Sequence, residues 1–250
     1  MSAFDRRAHW ERVHREKDPA QVSWHQADPA RSLAILRESR ARRIVDAGGG
    51  SSFLVDRLLD EPSVEVCVVD ISQAALDRAR ARLESRPNWA RERARVRLIA
   101  ADLSQSLDGG ASSDPGSATD GPDAIESGWA DAWHDRAAFH FLATPAEREG
   151  YARNLARVLR PGGVAIIAGF APDGPTRCSG LDVSRHDGAS VAAAINAATA
   201  GAGATADRIG AATDGDRAAP IVALVREERE THRTPGGADQ SFNWAILRRL

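Results

Sequence analysis

A chain of 250 residues can bury the core of one large α/β domain or two small ones, and a formal net charge of −2 leaves no broad electrostatic case for nucleic acid or an anionic membrane as partner. Two cysteines, Cys67 and Cys178, are too few for a disulfide framework or a cysteine zinc site. No apolar stretch approaches the roughly 18 to 20 residues that span a bilayer, and the charged opening MSAFDRRAHWERVHREKD has no secretory apolar region, so a soluble cytoplasmic protein is expected.

Residues 5 to 17 carry a charged helical pattern. DPAQVSWHQADPA is then broken by Pro19 and Pro29, and SLAILRES resumes as an amphipathic helix, so residues 1–40 form a helical segment ahead of a main domain at 41–250. RIVDAGGGSS reads as a short buried strand ending in a glycine turn, and FLVDRLLD as the helix after it. VEVCVVDIS is a β-branched run ending in Asp70, followed by the helix QAALDRARARLESR. RVRLIAADL is a third strand and WADAWHD a fourth; YARNLARVLR is a helix stopped by Pro161-Gly162-Gly163, and VAIIAGFA is a fifth strand.

Two stretches, 104–128 and 199–219, are rich in Gly, Ala, Ser and Asp and read as flexible surface insertions. PIVALVREERE and QSFNWAILRRL follow as alternating runs joined by THRTPGGAD, a connection suited to an antiparallel pair. The sum predicts a Rossmann-like, doubly wound, seven-stranded α/β sheet, mostly parallel with an antiparallel last strand. Such a sheet binds its ligand outside the carboxyl ends of the strands. Arginine in place of lysine, with Lys17 the only lysine, and abundant alanine point to a GC-rich bacterial genome.

The glycine turn admits three ligand classes. A Walker loop is excluded because no Gly-Lys-Ser/Thr follows, and the dinucleotide pattern fits Gly48 and Gly50 but fails at Phe53, where a small residue is needed. What remains is D-x-G-x-G-x-S, formed by Asp46, Gly48, Gly50 and Ser52. It resembles the first motif of class I S-adenosylmethionine-dependent methyltransferases, with Ser52 where a third glycine is usual. Asp70, about 20 residues beyond the turn, is placed to accept hydrogen bonds from both ribose hydroxyls. The resemblance implies adenine contact from Asp102, with Ile71 and Leu103 against the faces of the base.

HWERVHREKDPAQVSWHQADPARSL, WHDRAAFHFL, FAPDGPTRCSGLDV and HRTPGGADQSF look like successive blocks of a bacterial subfamily of these enzymes. WHDRAAF also resembles the W-D-R-G-A-L block of thiopurine methyltransferases. Asp135 to Leu142 resemble, more loosely, the D-K-G-T-L-D-A-L block of protein-lysine methyltransferases. The likeness implies that residues 1–40 act as a lid, with Trp24, His25 and Gln26 touching ligand.

If the first three strands hold the turn, ribose and adenine, the fourth ends at the methionine portion, where the methyl is transferred. His134, Asp135, Arg136 and His140 therefore stand where the acceptor arrives. His140, His134 and Asp135 are the candidate catalytic residues, and His134 is also a cofactor contact. A helix beginning near Asp135 would put Phe139 on the same face. Trp24, Phe139 and Phe170 are the aromatic candidates beside the sulfonium. His232 reads as a turn residue, Cys67 as buried strand and Cys178 as a loop cysteine, and no metal-ligand spacing is found. The expected partner is a small-molecule acceptor. A protein lysine is the rival acceptor, reached through an open acidic channel, and a non-catalytic cofactor-binding module is the alternative from another class.

Overall fold

The computed structural model describes residues 4–108, 124–202 and 219–250. Helix α1 (Arg6–Glu16) starts where the Asp5 side chain accepts from the Ala8 N–H, and it closes on the Lys17 N–H donated to the Val13 carbonyl. Helix α2 (Ala30–Ser39) follows Pro29 and ends at Arg40 in the left-handed region. The core then alternates: β1 (Arg43–Ala47), α3 (Leu54–Leu59), β2 (Glu65–Asp70), α4 (Gln73–Glu84), a short α5 (Trp89–Glu92), β3 (Val96–Ala100) and β4 (Ala130–Arg136). Helix α6 (Pro145–Val158) begins with proline in its first turn and a capping box between Thr144 and Glu147. β5 (Leu159–Phe170), the small hairpin β6 (Arg177–Cys178) and β7 (Leu181–Asp182), α7 (Gly188–Ala202), β8 (Val222–Arg233) and β9 (Asp239–Arg249) complete the chain.

The main sheet has the order β3-β2-β1-β4-β5-β9-β8. β3, β2, β1, β4 and β5 run parallel, and β9 is antiparallel to both β5 and β8. This is the mostly parallel, seven-stranded sheet expected, with the final pair inserted so that β9 is interior and β8 forms the edge.

Side chains alternate across each strand, and the two faces make two cores. Val45, Trp133 and Ile167 pack with Tyr151 and Leu155 of α6 on one face. Ile44, Ala132 and Ile166 pack with Leu33 and Leu36 of α2 and Leu54 and Leu58 of α3 on the other.

Three local features differ from expectation. No α-helix begins near Asp135: β4 ends at Arg136, and Ala137 at φ 71° leads into a single 3-10 turn at Phe139–Phe141. Helix α7 occupies GASVAAAINAATAGA, an alanine-rich stretch with little amphipathic pattern. Leu107 and Ile125, inside the stretch read as an insertion, are buried, with Asp108 bridged to Ala124. Residues 109–123 and 203–218 of the two expected insertions lie outside the described residues.

Candidate active site

At the carboxyl ends of β1, β2, β3 and β4 the chain surrounds a cavity whose empty space, open solvent at the mouth included, is about 1260 Å³. Its floor is the glycine turn. Gly48 adopts φ 72° and donates its N–H to the Val69 carbonyl at 2.7 Å; a Cβ there would lie 2.4 Å from the Ala138 Cβ. At Gly49 a Cβ would lie 2.4 Å from Asp46 Oδ2, so the middle glycine, which the D-x-G-x-G pattern leaves unspecified, is needed as well. Ser52 Oγ accepts from the Leu54 N–H at the start of α3. Arg82 donates to the Ser51 and Ser52 carbonyls and lies over the Phe53 ring, fixing the far side of the turn.

Three carboxylates line the cavity in strand order. Asp46, on β1, bonds His134 Nδ1 through Oδ1 at 2.8 Å, while its Oδ2 is buried with no hydrogen-bond partner among the described residues. Asp70 ends β2 and accepts from the Ser72 N–H at 2.9 Å; burial, reinforced by the charges of Asp46 and Glu11, pushes its carboxyl up to about 7. Asp102 follows β3 and accepts from both the N–H and hydroxyl of Ser104, with Arg6 3.9 Å away. Ile71 and Leu103 stand beside these carboxylates in the cavity wall.

Strand alternation divides the His134-Asp135-Arg136 cluster. His134 and Arg136 point to the cavity face. Asp135 points to the opposite face, where it accepts from the Ala138 and Phe139 N–H groups and the buried Tyr151 hydroxyl. Burial raises the Asp135 carboxyl to about 6 against the pull of these bonds. The expectation that Asp135 meets the acceptor is corrected: it holds the turn after β4.

His140 is corrected in the same way. Its ring is sealed between Phe141 and Phe170, outside the cavity lining, with neither nitrogen hydrogen-bonded among the described residues, and burial lowers it to about 3. Phe139 packs on Tyr151, and Phe170 on Phe242, so neither reaches the cavity. Phe141, two residues beyond Phe139, does.

His134 has both nitrogens committed, to Asp46 and to Ser32 Oγ of α2 at 3.0 Å. A carboxylate on Nδ1 requires the proton there, and Nε2 is engaged by the serine hydroxyl. No lone pair remains to take a proton from an acceptor.

The cavity is covered by α1. Arg6, Trp10 and His14 recur every four residues and line it, a spacing present in the sequence that identifies them as one helical face. Glu11 ties the helix down, accepting from Ser72 Oγ at 2.8 Å and the Ala74 N–H at 3.2 Å, and Arg78 donates to the Arg15 and Lys17 carbonyls. Arg6 also pairs with Glu147 of α6.

Trp24, His25 and Gln26 all line the cavity. Their segment is anchored by His232 Nε2, which donates to the Ser23 carbonyl at 2.8 Å, and by Arg136 Nη1, which donates to the Trp24 carbonyl at 3.0 Å. His232 thus belongs to β8 and is not a turn residue. Trp10 meets Trp24 and Phe141 at ring separations of 5.8 and 4.9 Å, forming an aromatic wall near Cys178. Among the described residues no helix is long and apolar enough to cross a membrane, and no cluster of three or more His, Cys, Asp or Glu side chains is arranged to hold a metal.

Residues 45–165 match the family model described as a methyltransferase domain. No curated protein matches the chain. Many solved structures share its fold at low identity, three of which serve as examples. One was described for the conversion of a disulfide bond into a thioacetal group during echinomycin biosynthesis; it has TM-score 0.65 and 16% identity, covering 98% of this chain and 92% of its own. The Burkholderia thailandensis 1,6-didemethyltoxoflavin-N1-methyltransferase, with 1,6-didemethyltoxoflavin and S-adenosylhomocysteine bound, has TM-score 0.61 and 17% identity over 97% and 86%. The N-methyltransferase NodS of Bradyrhizobium japonicum WM9, in complex with S-adenosylhomocysteine, has TM-score 0.58 and 13% identity over 98% and 99%.

Proposed function

We propose that this methyltransferase binds S-adenosylmethionine along the β1–β3 side of the cavity and methylates a small-molecule acceptor held between α1, the Ser23–Gln26 segment and the end of β4. The observation that carries this reading is the continuity of one cavity from the three strand-end carboxylates to the aromatic wall under α1. The residues suit the cofactor. Asp46 Oδ2 is a buried acceptor without a partner among the described residues, and glycine at 49 keeps a Cβ from colliding with that carboxylate.

In this reading Asp70 receives the ribose hydroxyls, Asp102 serves the adenine edge, and Ile71 and Leu103 flank the base. When bound, S-adenosylmethionine supplies a methyl group already activated by a positively charged sulfur, so the protein's work is alignment and exclusion of water. Trp10, Trp24 and Phe141 provide the apolar enclosure, with α1 and the Ser23–Gln26 segment as the lid. His134 positions Asp46 and the glycine turn. For an acceptor that must lose a proton, His25 is the imidazole in the wall that fits the role of base.

A protein lysine calls for an open, acidic entry. Here the acceptor side is roofed by α1 and presents the Arg136 cation, which favours a small acceptor. Two measurements test the reading: calorimetry with S-adenosylhomocysteine beside NAD, and transfer of labelled methyl from S-adenosylmethionine into small-molecule and protein fractions of a cell extract. Micromolar binding of the first ligand alone, with label in the small-molecule fraction, is expected. Label confined to protein would replace the acceptor class, and binding without any transfer would favour a non-catalytic module.

A further inference from the structure

Arg136 is placed by β4 beyond His134, on the side of the cavity away from the glycine turn. Its guanidinium lies 4.7 Å over the Phe242 ring of β9, two strands further along the sheet in the direction opposite to β1. One nitrogen, Nη1, is used by the Trp24 carbonyl. The other two, Nε and Nη2, are shut off from solvent and have no hydrogen-bond partner, and Arg136 makes no ion pair among the described residues. Glu230, whose charge it feels, is already engaged by Trp244 Nε1. Burial accordingly lowers the guanidinium to about 10.

A buried guanidinium edge with two unbonded N–H groups is costly even with the Glu230 charge nearby, and an anion that accepts from both would complete it. The unpaired atoms narrow the choice. Nε and Nη2 form the side-on edge of the guanidinium, whose two parallel N–H bonds match the two oxygens of a carboxylate. The aromatic wall of Trp10, Trp24 and Phe141 lies close by, since Trp24 supplies both an indole to the wall and the carbonyl that orients Arg136.

We infer that the methyl acceptor is a small carboxylic acid, docked through a two-point contact of its carboxylate with Nε and Nη2 of Arg136 while its apolar body lies against Trp10, Trp24 and Phe141. The inference rests on the methyltransferase reading above and adds the acceptor's chemical class.

The test uses the whole protein loaded with S-adenosylhomocysteine. A panel of carboxylic acids with aromatic, indolyl and short alkyl bodies, each beside its primary amide, is titrated by calorimetry, and the same pairs are offered with methyl-labelled S-adenosylmethionine. At least one acid is expected to bind about tenfold or more tighter than its amide, the scale of losing a charged hydrogen-bond pair. Arg136→Gln should erase that preference while keeping S-adenosylhomocysteine affinity within about threefold of wild type. Arg136→Lys, which keeps the charge without the fork, should retain an intermediate preference.

Cofactor binding with no acid preferred over its amide anywhere in the panel overturns the proposal and leaves the methyltransferase reading standing. A tenfold loss of S-adenosylhomocysteine affinity in Arg136→Gln also overturns it, by assigning the guanidinium to the cofactor's own carboxylate. Absence of S-adenosylhomocysteine binding in the wild type overturns both.

Discussion

Asp46 and His134 face each other across adjacent parallel strands, paired in register and joined by a 2.8 Å hydrogen bond that directs the Nδ1 proton to the carboxylate. His134→Ala leaves Asp46 buried with neither oxygen bonded. A stability loss of about 2–3 kcal/mol in urea titration is expected, together with weaker S-adenosylhomocysteine binding, because Asp46 Oδ2 borders Gly49. Ser32→Ala, which removes only the outer bond, should cost about 1 kcal/mol.

Asp70 is predicted to oppose folding and favour binding. Its carboxyl stands at about 7 in the fold against an ordinary 3.8, so this group's contribution to stability is undiminished below about pH 4 and is lost as pH rises through about 7. Asp70→Asn should therefore raise the apo melting temperature by a few degrees at pH 8 and hardly at all at pH 4. The same change should weaken S-adenosylhomocysteine binding by about 100-fold at pH 8, with two hydroxyl donors facing a neutral amide. Wild-type affinity should climb between pH 6 and pH 8 as the anion forms; calorimetry across that range would refute the ribose assignment if the affinity stayed flat.

For His140 the expectation is silence. Its ring lies behind Phe141, outside the cavity lining, and both nitrogens lack partners among the described residues. His140→Leu should keep cofactor affinity and turnover within about twofold and should not lower the melting temperature, since it replaces unsatisfied polar atoms with apolar ones. A large loss of turnover with intact folding would restore His140 to the catalytic group.

Glu11 is the clasp between the covering helix and the start of α4. Glu11→Ala should speed S-adenosylhomocysteine dissociation about tenfold in stopped-flow tryptophan fluorescence, since Trp10 and Trp24 line the cavity and report on it. An unchanged dissociation rate would show that α1 does not gate release.

Much of this was legible in the residues themselves. β-branched runs such as VEVCVVD and VAIIAG specify strands strongly, and the Asp46, Asp70 and Asp102 positions follow because each closes or follows such a run. The misassignments at the end of β4 have one cause. His134, Asp135 and Arg136 are consecutive, and reading them as a cluster overlooked the period of two that sends Asp135 to the α6 face. The chain then turns through Ala137 in the left-handed region and a 3-10 turn, so helical spacing, which pointed to Phe139, selected the wrong phenylalanine. Helix α7 was hidden because alanine dominates it and gives little periodicity; its readable signal was the cap, Asp187, whose side chain accepts from the Ser190 N–H. The face of α1 formed by Arg6, Trp10 and His14 was readable, but nothing in the spacing alone says what that face covers.

Lys17, exposed at the point where α1 closes on Val13, is the sole lysine of the chain. An amine-reactive dye therefore attaches there and, apart from any free terminal amine, nowhere else. One native side chain thus makes the covering helix optically addressable, so whether it moves over the cavity can be read in real time without mutating the protein.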